Sequence, residues 1–276
     1  MENDNKKIEV LLSTMYKESL DFLSDLNIQT DVVIVNQTDK QNYIVDRYKD
    51  NNVIFISTFD RGLSRSRNKA LENASADICL ICDDDVQYLD GYGEIVIKAF
   101  NDIKDADIII FDSIMTYRDG KTCTKGFKKI EKVHKFKTFS SVLIAFKRKS
   151  IIENNIRFNE DFGTGSGKYE MCEDSIFLRD CYKKGLKAYI YPRVIHKCIY
   201  GESTWFKGYN EKYFFDIGAY LAQSFKKTKF LVKWYYPIRM YKLSNLKWYE
   251  IIKFINAGIT GFNKNMKYSD YFNYKK

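Results

Sequence analysis

Three consecutive aspartates, Asp83, Asp84 and Asp85, close the apolar run ICLIC. Like charges in contact repel, so the cluster is costly unless a cation is shared among them. Carboxylate oxygens are hard ligands for Mg²⁺ or Mn²⁺, and a metal held by one or two carboxylates completes its shell with substrate phosphates. Two other groups have suitable chemistry. Arg65 and Arg67 in RGLSRSRN (61–68) can make charge-assisted hydrogen bonds to a diphosphate. The pair Glu173 and Asp174 offers a general base for a hydroxyl held in hydrogen-bond reach. Each alone also has an ordinary reading: a solvated acidic turn, a basic helix start, or helix-start acids favoured by the macrodipole. His196, in VIHKC, has an imidazole that complements carboxylate oxygen around Mn²⁺, although a lone histidine is commonly structural. His134 lies among lysines and is given no role.

The elements that must position these residues alternate in type. Short β-branched runs over 8–12, 32–35, 53–56, 78–82 and 108–111 read as strands. Helical spacing over 18–26, 41–49, 64–73 and 92–102 lies between them, which predicts β-α-β units around a mostly parallel sheet with helices on both faces. Residues 113–137 read as a hairpin or long loop, 141–146 and 188–191 as strands, and the stretch from Glu173 to Gly185 as a helix with a glycine exit. The three aspartates then fall past the carboxyl end of the fourth strand, the edge where ligands bind in open α/β sheets. GTGSGK (163–168) is not a P-loop: three residues separate Gly163 from Gly167, and Tyr169 follows Lys168. A mobile glycine-rich loop that closes over a bound substrate suits it better.

The chain has 276 residues, 45% of them hydrophobic, enough for a sizeable core. No leader and no apolar run of about 18 residues is readable, so a cytoplasmic protein is expected. Six scattered cysteines read as buried thiols, including the single C-x-x-C of Cys79 and Cys82. The net charge of +9 is uneven: residues 1–197 carry 31 basic and 31 acidic side chains, residues 198–276 carry 14 and 5. Half of the 44 aromatic residues also lie in that last part. Such a shift predicts a boundary, with a body over 1–200 and a basic, aromatic helical extension over 201–276 whose helices span 211–226 and 247–259.

The ordered pieces VLLSTMYKE (10–18), VVIVNQTD (32–39), RGLSRSRNKAL (61–71), ICDDD (81–85) and CEDSIFLRDCYKKG (172–185) resemble the family-2 glycosyltransferases of the GT-A fold. The resemblance implies that Asp85 binds a Mn²⁺ or Mg²⁺ bridging the donor diphosphate. It implies that Asp83 and Asp84 reach the nucleoside, sugar or diphosphate, with Asp83 and His196 as further metal ligands. Arg65, Arg67 and Asn68 match the family's arginine-asparagine motif beside the donor, and Ser13, Thr14, Asn36 and Asp39 occupy donor-binding strand ends. Asp174 would be the base, supported by Glu173. Two departures bear on base recognition: Asn36, Gln37 and Thr38 precede Asp39 where the family has an earlier aspartate, and the turn after the first strand lacks its usual proline.

The expected activity is inverting transfer of a sugar from a nucleotide-diphosphate donor, UDP-linked, to a saccharide acceptor. The tail, with Lys226, Lys227, Lys229, Lys233, Arg239 and Lys242 interleaved with aromatics, resembles a surface for anionic headgroups. A lipid-linked acceptor at the inner face of the membrane, in surface polysaccharide synthesis, then follows. The tail packing on the body or pairing with a second copy is the alternative. A metal-dependent nucleotidyltransferase is the rival enzyme, and a nucleic-acid binder using the tail the rival of another class. The neutral body argues against nucleic acid.

Overall fold

The computed structural model describes residues 6–117, 120–135, 137–199 and 206–274. The expected division at 200/201 lies outside the described residues. The chain forms two compact units, 1–158 with 177–201, and 159–176 with 202–276.

The first unit contains β1 (Ile8–Met15), β2 (Asp31–Gln37), β3 (Asn42–Tyr48), β4 (Asn51–Thr58), α1 (Leu63–Asn73), β5 (Ile78–Asp83), β6 (Val86–Tyr88) and α2 (Tyr92–Asp102). It continues through β7 (Ile108–Thr116), β8 (Thr122–Cys123), β9 (Glu131–Lys132), β10 (Ile144–Lys147) and α3 (Arg148–Glu153). After the excursion into the second unit come the rest of α4 (Glu173–Lys183) and β11 (Ala188–Ile199). The sheet order is β3-β4-β2-β1-β5-β10-β7-β11-β6, with β8 beside β7 and β9 beside β11. β4, β2, β1 and β5 run parallel, as do β7 and β11, while β10 is antiparallel to both its neighbours.

Both faces of the central strands are apolar because both are covered. On β1, Val10 and Leu12 join one layer with Val96 and Phe100 of α2. Leu11 joins the opposite layer with Leu71 of α1, Ile151 of α3 and Phe177 of α4. From β1 the chain winds outward to β2 and β4, then returns across to β5 on the other side of β1. The strand order reverses there, and in open α/β sheets ligands bind outside the carboxyl ends of the strands at such a reversal, here β1 and β5.

Two expected helices are absent. Over 18–26 there is only a 3₁₀ turn, Asp21–Leu23, because side chains compete for the backbone: Ser19 Oγ accepts from the Asp21 amide, and Ser24 Oγ donates to the Asp21 carbonyl. Residues 41–49 are not helical but form β3, antiparallel to β4, with Tyr48 opposite Asn51 and Lys49 at φ 55° in the two-residue turn. Tyr43, Ile44 and Val45 favour a strand, and all three are exposed, so no buried face marked the period. Over 141–146 a 3₁₀ turn (Ser141–Leu143) precedes β10. The stretch around His196 is strand throughout, since β11 runs from Ala188 to Ile199.

The second unit is helical: α5 (Glu211–Ser224), α6 (Lys229–Val232), α7 (Tyr235–Met240), α8 (Trp248–Asn263) and α9 (Tyr268–Tyr274), together with residues 159–176. α5 and α8 cross at Gly218 and Gly258. A Cβ on Gly218 would lie 2.1 Å from the Ile255 carbonyl oxygen, and one on Gly258 1.9 Å from that of Phe215. Phe162 and Tyr169 pack in the same core as Phe214, Phe215, Ile251 and Ile255. The glycine loop between them is tied back: the Gly163 amide donates to the Tyr169 carbonyl, and Lys168 Nζ reaches Asp161 at 2.8 Å and Asn265 at 2.5 Å. Lys168 thus ties the loop to Asp161 before it and to Asn265 after α8. All six cysteines are free thiols, with Cys79 and Cys82 fully buried.

Candidate active site at the carboxyl ends of β1 and β5

Parallel registration sets Ser13 of β1 beside Asp83, the last residue of β5, and Thr14 beside Asn36 of β2. Strand β5 then turns through Asp84 and Asp85 into β6. The three carboxylates do not share one partner. Arg67 of α1, 2% exposed, donates to both Asp83 oxygens at 3.1 Å. Asp84 accepts from Thr14 Oγ1 at 2.6 Å and lies 3.7 Å from Lys17 Nζ. No described cation is set against Asp85. Desolvation, and then the charges of Asp83 and Asp84, push its carboxyl up to about 6.

Asn68 and Phe158 hold α1 at the height that aims Arg67 at Asp83. The Asn68 amide donates to the Phe158 carbonyl at 3.0 Å, and the Phe158 amide returns a bond to Asn68 Oδ1 at 2.8 Å. The Phe158 ring lies under the Arg67 guanidinium, 5.4 Å from its centroid. Ser66 Oγ bonds Ser13 Oγ at 2.8 Å, fastening the same helix to β1. Arg65 lies one position outward and donates to the Arg61 carbonyl.

Asn36 is a loop brace. Its side chain accepts from the Lys17 amide at 2.9 Å and donates to the Lys17 carbonyl at 2.8 Å, closing the turn after β1. Within that turn Tyr16 sits at φ 53°, a left-handed conformation that costs a bulky residue about 1–2 kcal/mol. It is 55% exposed, and its ring faces the Arg61 guanidinium at 5.6 Å. Arg61 in turn donates to the carbonyls of Thr38, Thr58 and Phe59 and pairs with Asp39 at 2.5 Å. One side chain thereby ties together the ends of β2 and β4, where the Thr38 amide also donates to the Thr58 carbonyl at 2.9 Å. Arg61 and Lys17 were not among the expected site residues, although both lie inside the motif stretches; nothing in their spacing shows which carboxylate each meets.

A divalent cation fits Asp85, a hard oxygen ligand whose charge nothing else described here neutralises. The expected ligand set of Asp83, Asp85 and His196 is not assembled: among the described residues no group of three or more His, Cys, Asp or Glu is gathered around a common point. His196 is fully buried on β11 opposite Tyr88, with the two rings edge-on at 5.9 Å. Burial lowers its pKa to about 4, with the Asp112 charge opposing. Among the described residues neither ring nitrogen has a hydrogen-bond partner. The packing of β11 against β6 places the ring in the core, which motif order alone does not reveal.

Glu173 and Asp174 belong to the second unit. They open α4 after Cys172, which is at φ 74° and whose carbonyl accepts from the Ile176 amide at 3.0 Å. Glu173 is buried and Asp174 partly exposed, and both occupy the first turn, where the helix dipole favours negative charge.

The chain matches the family described as Glycosyl transferase family 2 over residues 17–165, more than half of its length. Among solved structures it is similar to the 1–349 portion of S. aureus TarS, at 14% identity and TM-score 0.58, covering 93% of this chain and 83% of that one. It is also similar to the same portion in complex with UDP-GlcNAc, at 15% identity and TM-score 0.56, covering 98% and 76%. The complex with UDP gives 14% identity and TM-score 0.58, covering 93% and 83%. No curated protein matches. At such identities the structural likeness speaks for the fold, and the family match speaks for the descent: with its central sheet, covering helices and carboxylates at the β1/β5 edge, the chain belongs to glycosyltransferase family 2 and has the GT-A fold.

Proposed function

We propose that the protein transfers a sugar from a UDP-linked donor to a hydroxyl of a saccharide acceptor, with inversion at the anomeric carbon. Family membership supports sugar transfer, and the UDP-GlcNAc carried by a TarS structure of like fold supports the uridine donor. The observation that carries the reading is the division of labour among the three aspartates: Asp83 is committed to Arg67, Asp84 to Thr14 and Lys17, and Asp85 is left for a cation. A Mn²⁺ or Mg²⁺ held by Asp85 would offset charge developing on the diphosphate leaving group. Asp39 and the exposed Tyr16, just past the carboxyl ends of β2 and β1, would receive the nucleoside. Asp174, assisted by Glu173, takes the proton of the acceptor hydroxyl as the new C–O bond forms and the bond to the diphosphate breaks. The acceptor is a saccharide carried on a lipid, which places the reaction at the inner face of the cell membrane in the making of a surface polysaccharide.

A panel of nucleotide sugars with Mn²⁺ tests this, with release of the nucleoside diphosphate as readout. UDP release that falls at least ~1000-fold in Asp85→Ala and in Asp174→Ala is expected, the scale for losing a group that acts in the transition state. Normal turnover in either variant, or release of pyrophosphate, overturns the assignment.

A further inference from the structure

Residues 226–247 carry seven Lys or Arg and no Asp or Glu. The segment folds as the short helices α6 and α7 and the turn that follows. One side of it is used internally: Val232, Tyr236, Met240 and Leu246 pack on the core of the second unit, and Pro237 is buried. The opposite side should then be polar if it faced water alone. It is not. Phe230 is 63% exposed, Leu231 76%, Trp234 45%, Tyr235 57%, Ile238 76% and Leu243 61%.

The cations stand among these apolar side chains. Lys233 Nζ lies 5.8 Å from the Phe230 ring centre and 5.7 Å from that of Trp234, and Lys242 lies 5.8 Å from that of Tyr241. An apolar face with ammonium groups along it and aromatic rings between has the composition of an interfacial helix. Such a helix sinks its aliphatic and aromatic side chains to the headgroup boundary and leaves its lysines at the phosphates. No described helix is long and apolar enough to cross a membrane, so the segment would lie in the plane of the surface.

We propose that α6, α7 and the turn after them form a membrane-docking face for anionic phospholipid, with Phe230, Leu231, Trp234 and Ile238 inserted and Lys226, Lys227, Lys229 and Lys233 on the phosphates. Charge complementarity selects this occupant. A cationic segment without a single acid repels its own copy, and the apolar positions have no charge pattern for a protein partner. This deepens the lipid-linked acceptor reading above but uses none of its catalytic residues.

The test uses the full chain with two sets of sedimented vesicles, pure phosphatidylcholine and phosphatidylcholine with about a third phosphatidylglycerol. Binding to the anionic set that weakens at least ~10-fold between low and high salt is expected. L231S/I238S should lower binding ~10-fold at either salt, and K226Q/K227Q/K229Q should remove most of the salt dependence. Both variants change exposed side chains, save Lys229, which is half-buried, and should keep the parent melting temperature. Equal binding of parent and variants, or no binding at low salt, overturns the proposal. A dimer in solution that the L231S/I238S change dissolves also overturns it, since the face would then be a subunit contact. UDP release with a water-soluble acceptor separates the two readings. Turnover without vesicle binding removes only the docking face, and vesicle binding without turnover removes only the transferase assignment.

Discussion

At the β1/β5 edge Asp83 and Asp84 each face a cation supplied by the fold, whereas the segment 226–247 supplies cations and no acid to meet them. The first region holds its charges in place by mutual neutralisation and by reciprocal side-chain to backbone bonds such as those of Asn68 and Asn36. In the second, helix α6 has no fully buried residue, and its Phe230 and Leu231 are turned outward. Internal pairing yields a shaped and fixed site. Unpaired surface of one sign, mixed with exposed apolar side chains, yields a face suited to something outside the chain.

The sharpest way to break the comparison is to remove a pairing cation from the first region. Arg67→Ala leaves Asp83 in a partly buried place without its partner, and about 3 kcal/mol of stability should be lost, less than for a wholly buried pair because Asp83 keeps some solvent. Donor turnover should fall at least ~100-fold, and urea unfolding together with UDP release measures both. A loss below about 1 kcal/mol would mean that the pair does not hold the site.

The matching change in the second unit is Gly258→Ala. It forces α5 and α8 apart and should cost up to about 3 kcal/mol. Hydrogen exchange should place the loosening in α5 and α8, with the amides of β1 and β5 unchanged. Protection lost equally in both regions would show that they unfold as one.

A smaller effect separates buried from exposed ionisable groups within the first unit. Folded His196 remains neutral down to about 4, against 6.5 for the free side chain. Above pH 6.5 both states are neutral and nothing is lost. As pH falls toward 4 the unfolded chain binds a proton that the folded chain refuses, so stability should fall by about 2 kcal/mol between pH 6.5 and 5. His196→Gln should flatten that slope, as measured by melting temperature against pH; an unchanged slope would assign it elsewhere.

Least affected should be Lys69→Ala, which removes the exposed ion pair with Asp60 at 2.6 Å. Less than about 1 kcal/mol is expected, fading with added salt. A larger loss in urea unfolding would mean that exposed pairs here carry more than their solvation allows.

Much of the first region was legible because its strands are buried on both faces and therefore read as continuous apolar runs. The parallel body, the helices α1 and α2 and the placing of Asp83 to Asp85 at the carboxyl end of β5 all follow from that. The misread pieces lack such a signal. β3 is exposed along most of its length, and the turn at 21–23 is shaped by Ser19 and Ser24 competing for the backbone. The site was legible as a list of residue types and not as a set of contacts. The sequence named Arg67 and Asp83 but not their pairing, nor that Asn36 braces Lys17 or that His196 lies in the core.

The sequence by itself determined the family, the sheet-forming runs, the acidic strand end and the confinement of the charge excess to the tail, since these depend on residue order and composition. Only the tertiary structure decided which cation meets which carboxylate, because the register of β1 against β5 and the seating of α1 on Phe158 bring together residues far apart in the chain. It alone also decided which apolar side chains of the tail remain uncovered. Helices α6 and α7 are too short to carry a readable period, and their outward face is defined by what α5 and α8 already bury.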